Sequence, residues 1–282
     1  METQTSIIDL IQVQAQKEES LPVLNPEGIA IQQEAVKGDP DFDKLSSLIR
    51  MDPTLTSEVL KTANSPFYRG LGDVNTIKDA VIRLGQNEMV NIIMTTVLKQ
   101  TFSTKIDLIK EYQENLWTHS VSCAFATSWL ARHLSMDEMV SQAFIAGLLH
   151  DFGKLYLLTA LEKLLESDQE GFTPSYQLVD RILTSLHSSM GHELLEKWNI
   201  PKQYQDVARD HHEEEFDANN VLLVMTKLAN IVCNKLEGDE EEDDDISGIA
   251  STREADILGI REIGVAELEV ALEDFKSNNL MM

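Results

Sequence analysis

Positive charge is what this chain most lacks: 23 lysines and arginines stand against 48 aspartates and glutamates in 282 residues, a formal net charge of -25. Phosphate backbones are held through neutralisation by lysine and arginine, so nucleic acid is not expected as a partner. A small phosphorylated ligand stays admissible where a bound cation supplies the local positive charge. Cysteine is scarce as well, with only Cys123 and Cys233, too few for the disulfide framework of a small secreted domain. Both thiols fall inside helical patterns and read as buried and unreactive. No apolar run reaches the roughly 18 residues of a spanning helix, so no membrane partner is expected. The amino terminus METQTSIIDLIQVQAQ has neither the basic region nor the apolar core of a secretory signal, which makes a cytoplasmic location the expectation. Aromatics are few at 6%, yet 43% of the chain is hydrophobic, enough for one large or two modest cores.

What is present is helical punctuation. Asp52-Pro53 supplies a cap followed by proline at the first helical position, where the missing amide proton costs nothing. Thr76 to Asp79 is a capping box, Ile77, Ala80, Val81 and Leu84 recur at helical spacing, and Gly85 suits a left-handed helix end. Strand-like alternation is missing from the amino-terminal half. Further on, Trp117, Val121, Ala124, Phe125 and Leu130 give a helix on which His119 and Cys123 share another face, with His133 a surface or capping residue near its end. The acidic run EGDEEEDDD from Glu237 to Asp245 reads as a solvated loop. Ser251 to Glu254 is a second capping box, and Val265, Leu268, Leu272 and Phe275 form the stripe of a last helix. An all-α fold is expected, two packed helical lobes with a carboxy-terminal helical extension.

The chemistry concentrates in AFIAGLLHDFGK, residues 143 to 154. The apolar run from Ala143 to Leu149 reads as a buried helix, and it stops at His150-Asp151. An ionised carboxylate in such surroundings needs a partner or a cation, and a metal site is the simplest explanation. Further imidazoles are available at His119, His187 and the pair His211-His212. Nitrogen with oxygen donors suits zinc, iron, manganese or nickel, and the lack of a cysteine beside these residues argues against a thiolate site. Lys154, one turn beyond the pair, is placed to contact a substrate phosphate. His192 reads as a satisfied core histidine.

The order His119, His150-Asp151 resembles the opening of the HD superfamily of metal-dependent phosphohydrolases. His187 to Gly191 (H-x-x-x-G), Trp198 in EKWNIP, and His211-His212 extend the likeness. LPVL, Asp52-Pro53, ANSPFY and AVIRLG in the first half narrow it to the HDOD family, the HD-related output domains of bacterial signalling. The resemblance implies an amino-terminal segment over 1-20, a helical lobe over 21-115, an HD-like lobe over 116-236, an acidic loop over 237-250 and a helical extension over 251-282. It implies metal ligands His119, His150, Asp151, His187 and His211, with His212 and Asn230 as weaker candidates, and Asp151 and Lys154 as the catalytic candidates. The sequence departs from the catalytic pattern in two places. Asn230 stands where active HD enzymes carry a late aspartate, and Glu213 to Asp217 replaces the Gly-Tyr-Pro loop of the cyclic-dinucleotide-cleaving relatives. The expected function is therefore a regulatory or scaffold protein of signal transduction, acting through a protein partner. Hydrolysis of a small phosphoester at a divalent metal is the alternative.

Overall fold

The computed structural model describes residues 7-15, 26-37, 40-65, 68, 70, 72-100, 104-167, 174-238 and 246-279, and among them every regular element is helical. The first helix, α1 (Ile7–Ala15), buries Ile11 and Ala15 completely. The first lobe follows as α2 (Pro26–Ala35), α3 (Phe42–Met51), α4 (Pro53–Ala63), α5 (Ile77–Leu84) and α6 (Gln86–Lys99). Its punctuation works as the residue types require. Asp41 caps α3 by accepting from Lys44 N, and Asp52 caps α4 by accepting from Thr54 N and Leu55 N. Thr76 accepts from Asp79 N at 3.1 Å and donates to Asp79 Oδ2 at 2.6 Å. Gly85, at φ +79° and ψ 166° and so outside the left-handed helical conformation expected of it, caps the end of α5 and the start of α6. Leu45, Ile49, Leu55, Val59 and Ile93 are buried in this lobe, each side chain contributing about 1.5–3 kcal/mol by leaving water. Asn64 locks the connection after α4, donating to Val74 O at 2.8 Å while accepting from Val74 N at 2.7 Å.

The second lobe is built on α7 (Asp107–His133), followed by a 3-10 turn (Asp137–Met139), α8 (Val140–Leu149), α9 (Phe152–Glu166), α10 (Tyr176–Lys197), α11 (Lys202–Asp210) and α12 (Val221–Glu237). Two glycines set how closely these helices cross. A β-carbon on Gly147 would sit 2.5 Å from Cys123 O and 2.8 Å from Ala124 Cα, so glycine lets α8 lie directly on α7. A β-carbon on Gly153 would sit 1.8 Å from His187 O, so α9 touches the backbone of α10. The stretch Asp137–Glu166 is long and apolar enough to cross a membrane by composition, but 89% of its most apolar window is buried in the protein. It forms the centre of the lobe.

The chain ends in α13 (Ile246–Ala250), α14 (Arg253–Leu258) and α15 (Glu262–Asn279). The extension packs back on the body, where Phe275 stacks on Phe125 of α7 with ring centroids 4.3 Å apart. Lys235 Nζ also donates to Glu269 Oε1 at 2.5 Å. α1 packs on α9 of the second lobe, with the Tyr156 hydroxyl donating to Ala15 O, and two expectations shift here. The stretch expected as an acidic loop begins inside α12, since Glu237 is in the last turn of that helix, and it ends in α13; residues 239-245 lie outside the described residues. The second cap is Thr252, which accepts from Ala255 N, one residue later than the box starting at Ser251.

Candidate metal centre

α8 ends at Leu149, and His150 and Asp151 form the joint with α9. Asp151 occupies the N-cap of α9, where an aspartate ordinarily accepts from its own helix, but it makes no such bond. Its carboxylate turns inward instead. Oδ2 lies 3.5 Å from His150 Nε2, 3.7 Å from His119 Nε2 and 2.6 Å from Lys154 Nζ. Oδ1 lies 3.4 Å from both His187 Nε2 and His211 Nε2, and those two nitrogens are 3.3 Å apart. The structure thus brings His119, His150, Asp151, His187 and His211 to one place, with at most 8% of any of them exposed.

Each ring is held from behind. His150 Nδ1 donates to Gly147 O at 2.7 Å, His187 Nδ1 to Leu183 O at 2.8 Å and His211 Nδ1 to Ala208 O at 3.0 Å. A carbonyl only accepts, so Nδ1 carries the proton and a neutral ring turns the lone pair of Nε2 inward. His119 is held by a carboxylate, with Glu237 Oε2 2.8 Å from its Nδ1. This pattern of oriented imidazoles with a carbonyl or carboxylate behind them is the support that metal-ligating histidines receive.

Charge follows the same division. Burial pushes His150 well below the ordinary imidazole value against the pull of Asp151, and burial likewise takes His187 down to about 4. Burial acts on His119 in the same direction, but the Glu237 hydrogen bond and Asp151 together outweigh it and raise that ring. For Asp151 burial alone would raise the carboxyl, yet Lys154, His150 and His211 overcome it and hold it well below the usual carboxylate range. At neutral pH a buried carboxylate therefore faces the neutral rings of His150 and His187. His150 Nε2 and Asp151 Oδ1 have no hydrogen-bond partner, an arrangement whose desolvation cost a cation would relieve. The donor atoms fit one: tetrahedral bonds of about 2.0–2.3 Å place neighbouring donors roughly 3.3–3.7 Å apart, the range of the separations seen here.

His212 is exposed at the rim, its ring 4.1 Å from His211 and 4.9 Å from His187, and it falls in one cluster of donor atoms with Asp151, His187 and His211. Asn230 is buried on α12, seven residues before Glu237 and therefore on the same helix face. Lys154, expected to meet a phosphate, donates to Asp151 Oδ2 at 2.6 Å and is 29% exposed. Cys123 is buried as expected but not remote, since its Sγ lies 3.4 Å from His119 Nε2. The expectation that no thiol neighbours the cluster therefore fails. His192 is half-buried with Nδ1 unpartnered, so it is not the satisfied core residue expected.

Two supporting residues have no motif to announce them. Glu237 reads as one acid in an acidic run until α12 carries it to His119. Lys227, only 7% exposed, donates to His211 O at 3.0 Å and to Glu213 O at 2.9 Å, tying the segment after α11 to α12. Its ammonium also lies 4.7 Å from the centre of the Phe216 ring.

This fold has counterparts. A solved HDOD domain protein of unknown function from Geobacter sulfurreducens superposes with a TM-score of 0.73 over 96% of this chain and 97% of that one, at 21% identity. A candidate metal-dependent phosphohydrolase from Shewanella amazonensis superposes with a TM-score of 0.63 over 93% and 96%, at 16% identity. In sequence, an uncharacterized protein of Treponema pallidum is 25% identical over 249 residues, which are 85% of this chain and 47% of that protein. Ribonuclease Y of Acholeplasma laidlawii is 24% identical over 184 residues, 64% of this chain and 28% of the enzyme. The chain thus spans about half or less of the length of these two relatives. Residues 21–214 match the HDOD domain, and the chain belongs to the HDOD family.

Proposed function

We propose that this protein is a signal-transduction module of HDOD type that holds a divalent metal, zinc, iron, manganese or nickel, at the Asp151 cluster as part of its regulatory fold. The observation that carries this reading is the pair of orphaned inward-facing atoms, His150 Nε2 and Asp151 Oδ1, in a pocket where the other imidazoles are fixed with Nε2 inward. A metal bound there would supply a concentrated positive charge and Lewis acidity. The residues divide the remaining work. His119, His150 and Asp151 Oδ2 form one half of the site, while His187, His211, the rim residue His212 and Asp151 Oδ1 form the other. Lys154 balances the carboxylate from the exposed side.

The charge balance favours a regulatory over a catalytic role. Asn230 offers no charge where a carboxylate would strengthen the site. The donors come from α7, the α8-α9 joint, α10 and the end of α11, so occupancy would couple to the packing of these elements, and a protein partner would read the difference. A cytoplasmic setting and a protein partner complete the proposal.

Phosphoester hydrolysis is the second reading, supported by the complete set of five inward donors and by Lys154 and His212 at the rim. The test is incubation of protein loaded with manganese, iron, zinc or nickel with bis(4-nitrophenyl) phosphate, beside Asp151→Ala. The regulatory reading predicts release no faster than in Asp151→Ala, together with metal-dependent thermal stabilisation of the wild type alone. Turnover that disappears in Asp151→Ala would establish the hydrolase instead.

A further inference from the structure

Cys123 has no assigned role, and its position supplies one. It lies one helical turn after His119 on α7, and its Sγ is 3.4 Å from His119 Nε2. His119, Cys123 and His150 each offer one donor atom within 4.8 Å of the others, and all three are buried. His150 Nε2 has no partner in this space, and Asp151 Oδ2 closes the group at 3.5 Å from His150 Nε2 and 3.7 Å from His119 Nε2. The three separations at 3.4, 3.5 and 3.7 Å match the roughly 3.3–3.7 Å edges of a tetrahedral zinc site.

We propose that Cys123 is a thiolate ligand in the half-site of His119, His150 and Asp151, and that it makes this half-site a zinc site. The proposal rests on the metal reading above and deepens it. Asn230 leaves the cluster one anionic donor short of the catalytic HD pattern, and a thiolate restores that charge from a different helix. On binding, the thiol proton and any proton on His119 Nε2 leave to solvent, and the sulfur lone pair goes to the metal. The second lone pair of Asp151 Oδ2 accommodates Lys154 beside the ion. A soft sulfur donor selects zinc over manganese or magnesium, which an all-nitrogen and oxygen site would not do as strongly. Cys233 is the neighbouring thiol of Cys123, and in this assignment it stays outside the coordination sphere.

The test is to strip the full-length protein with chelator, load it with cobalt(II), and record its absorption spectrum together with bound cobalt. Wild type is expected to show a near-ultraviolet sulfur-to-cobalt charge-transfer band, retained in Cys233→Ser and lost in Cys123→Ser. Zinc affinity of Cys123→Ser, read by competition with a chromophoric chelator, is expected to fall on the order of 10-fold or more. Bound cobalt without the band in wild type overturns the thiolate assignment and leaves the metal reading standing, and this result does not depend on any variant folding. A band that survives in Cys123→Ser, or that vanishes in Cys233→Ser alone, also overturns it. Failure to bind cobalt or zinc at all overturns both readings.

Discussion

Glu237 shows how a single side chain gains a role from its position. Its Oε2 accepts from His119 and its Oε1 from Lys276 Nζ at 3.0 Å. Burial by itself would raise this carboxyl, but the His119 hydrogen bond and Lys276 outweigh it and hold the group below its ordinary value. A carboxylate behind a ligating imidazole fixes the ring and raises its basicity, so Glu237→Gln should weaken metal binding by about 10–100-fold while leaving the helical signal unchanged. Chelator competition followed beside circular dichroism checks both halves of that statement. The converging residues were legible in the sequence because His150-Asp151 interrupts an apolar run, and an interruption of that kind demands a partner. Glu237 and Lys227 were not. Each acts through a contact between segments distant in the chain, and nothing in local spacing separates such a residue from an ordinary acid or base.

The helices themselves were legible where polar residues mark their ends. Asp52, Thr76 and Gly85 fix ends in the first lobe, because caps satisfy backbone groups close by in the chain. Where α1 and α15 pack was not, since an apolar stripe states that a face is covered without stating by what. The crossing of α9 and α10 depends on Gly153, and Gly153→Ala would drive a β-carbon into His187 O. The helices must separate, which should cost roughly 1–3 kcal/mol in urea denaturation and lower the metal content by moving Asp151 away from His187. An unchanged unfolding midpoint would show that the two helices give way easily. In the first lobe, Glu34 is 2% exposed and accepts from Lys37 and Lys44 at 2.8 and 2.6 Å. Those two ammonium groups pull its carboxyl from 4.5 down to about 2. A carboxyl lowered by folding stabilises above its unfolded pKa and loses that contribution as pH falls toward the folded one. Glu34→Gln should therefore be less stable than wild type at pH 7, and the gap should narrow as the pH approaches 3, as denaturant midpoints at the two pH values would record.

At the scale of the molecule, the second lobe is drawn together around one buried carboxylate. α7, the α8-α9 joint, α10 and the α11 end bring imidazoles to Asp151, and α12 supplies Glu237 and Lys227 behind them. The helical class follows from periodicity, while the two lobes and the family follow from the order of the motifs. How far the centre is closed is a property of the packed molecule alone. Elemental analysis of full-length protein purified without chelator, beside His150→Ala and Asp151→Ala, tests the central claim most directly. The account predicts about one or two equivalents of zinc, iron, manganese or nickel in wild type and none in either variant. Wild-type protein without stoichiometric metal, even after reconstitution, would contradict it.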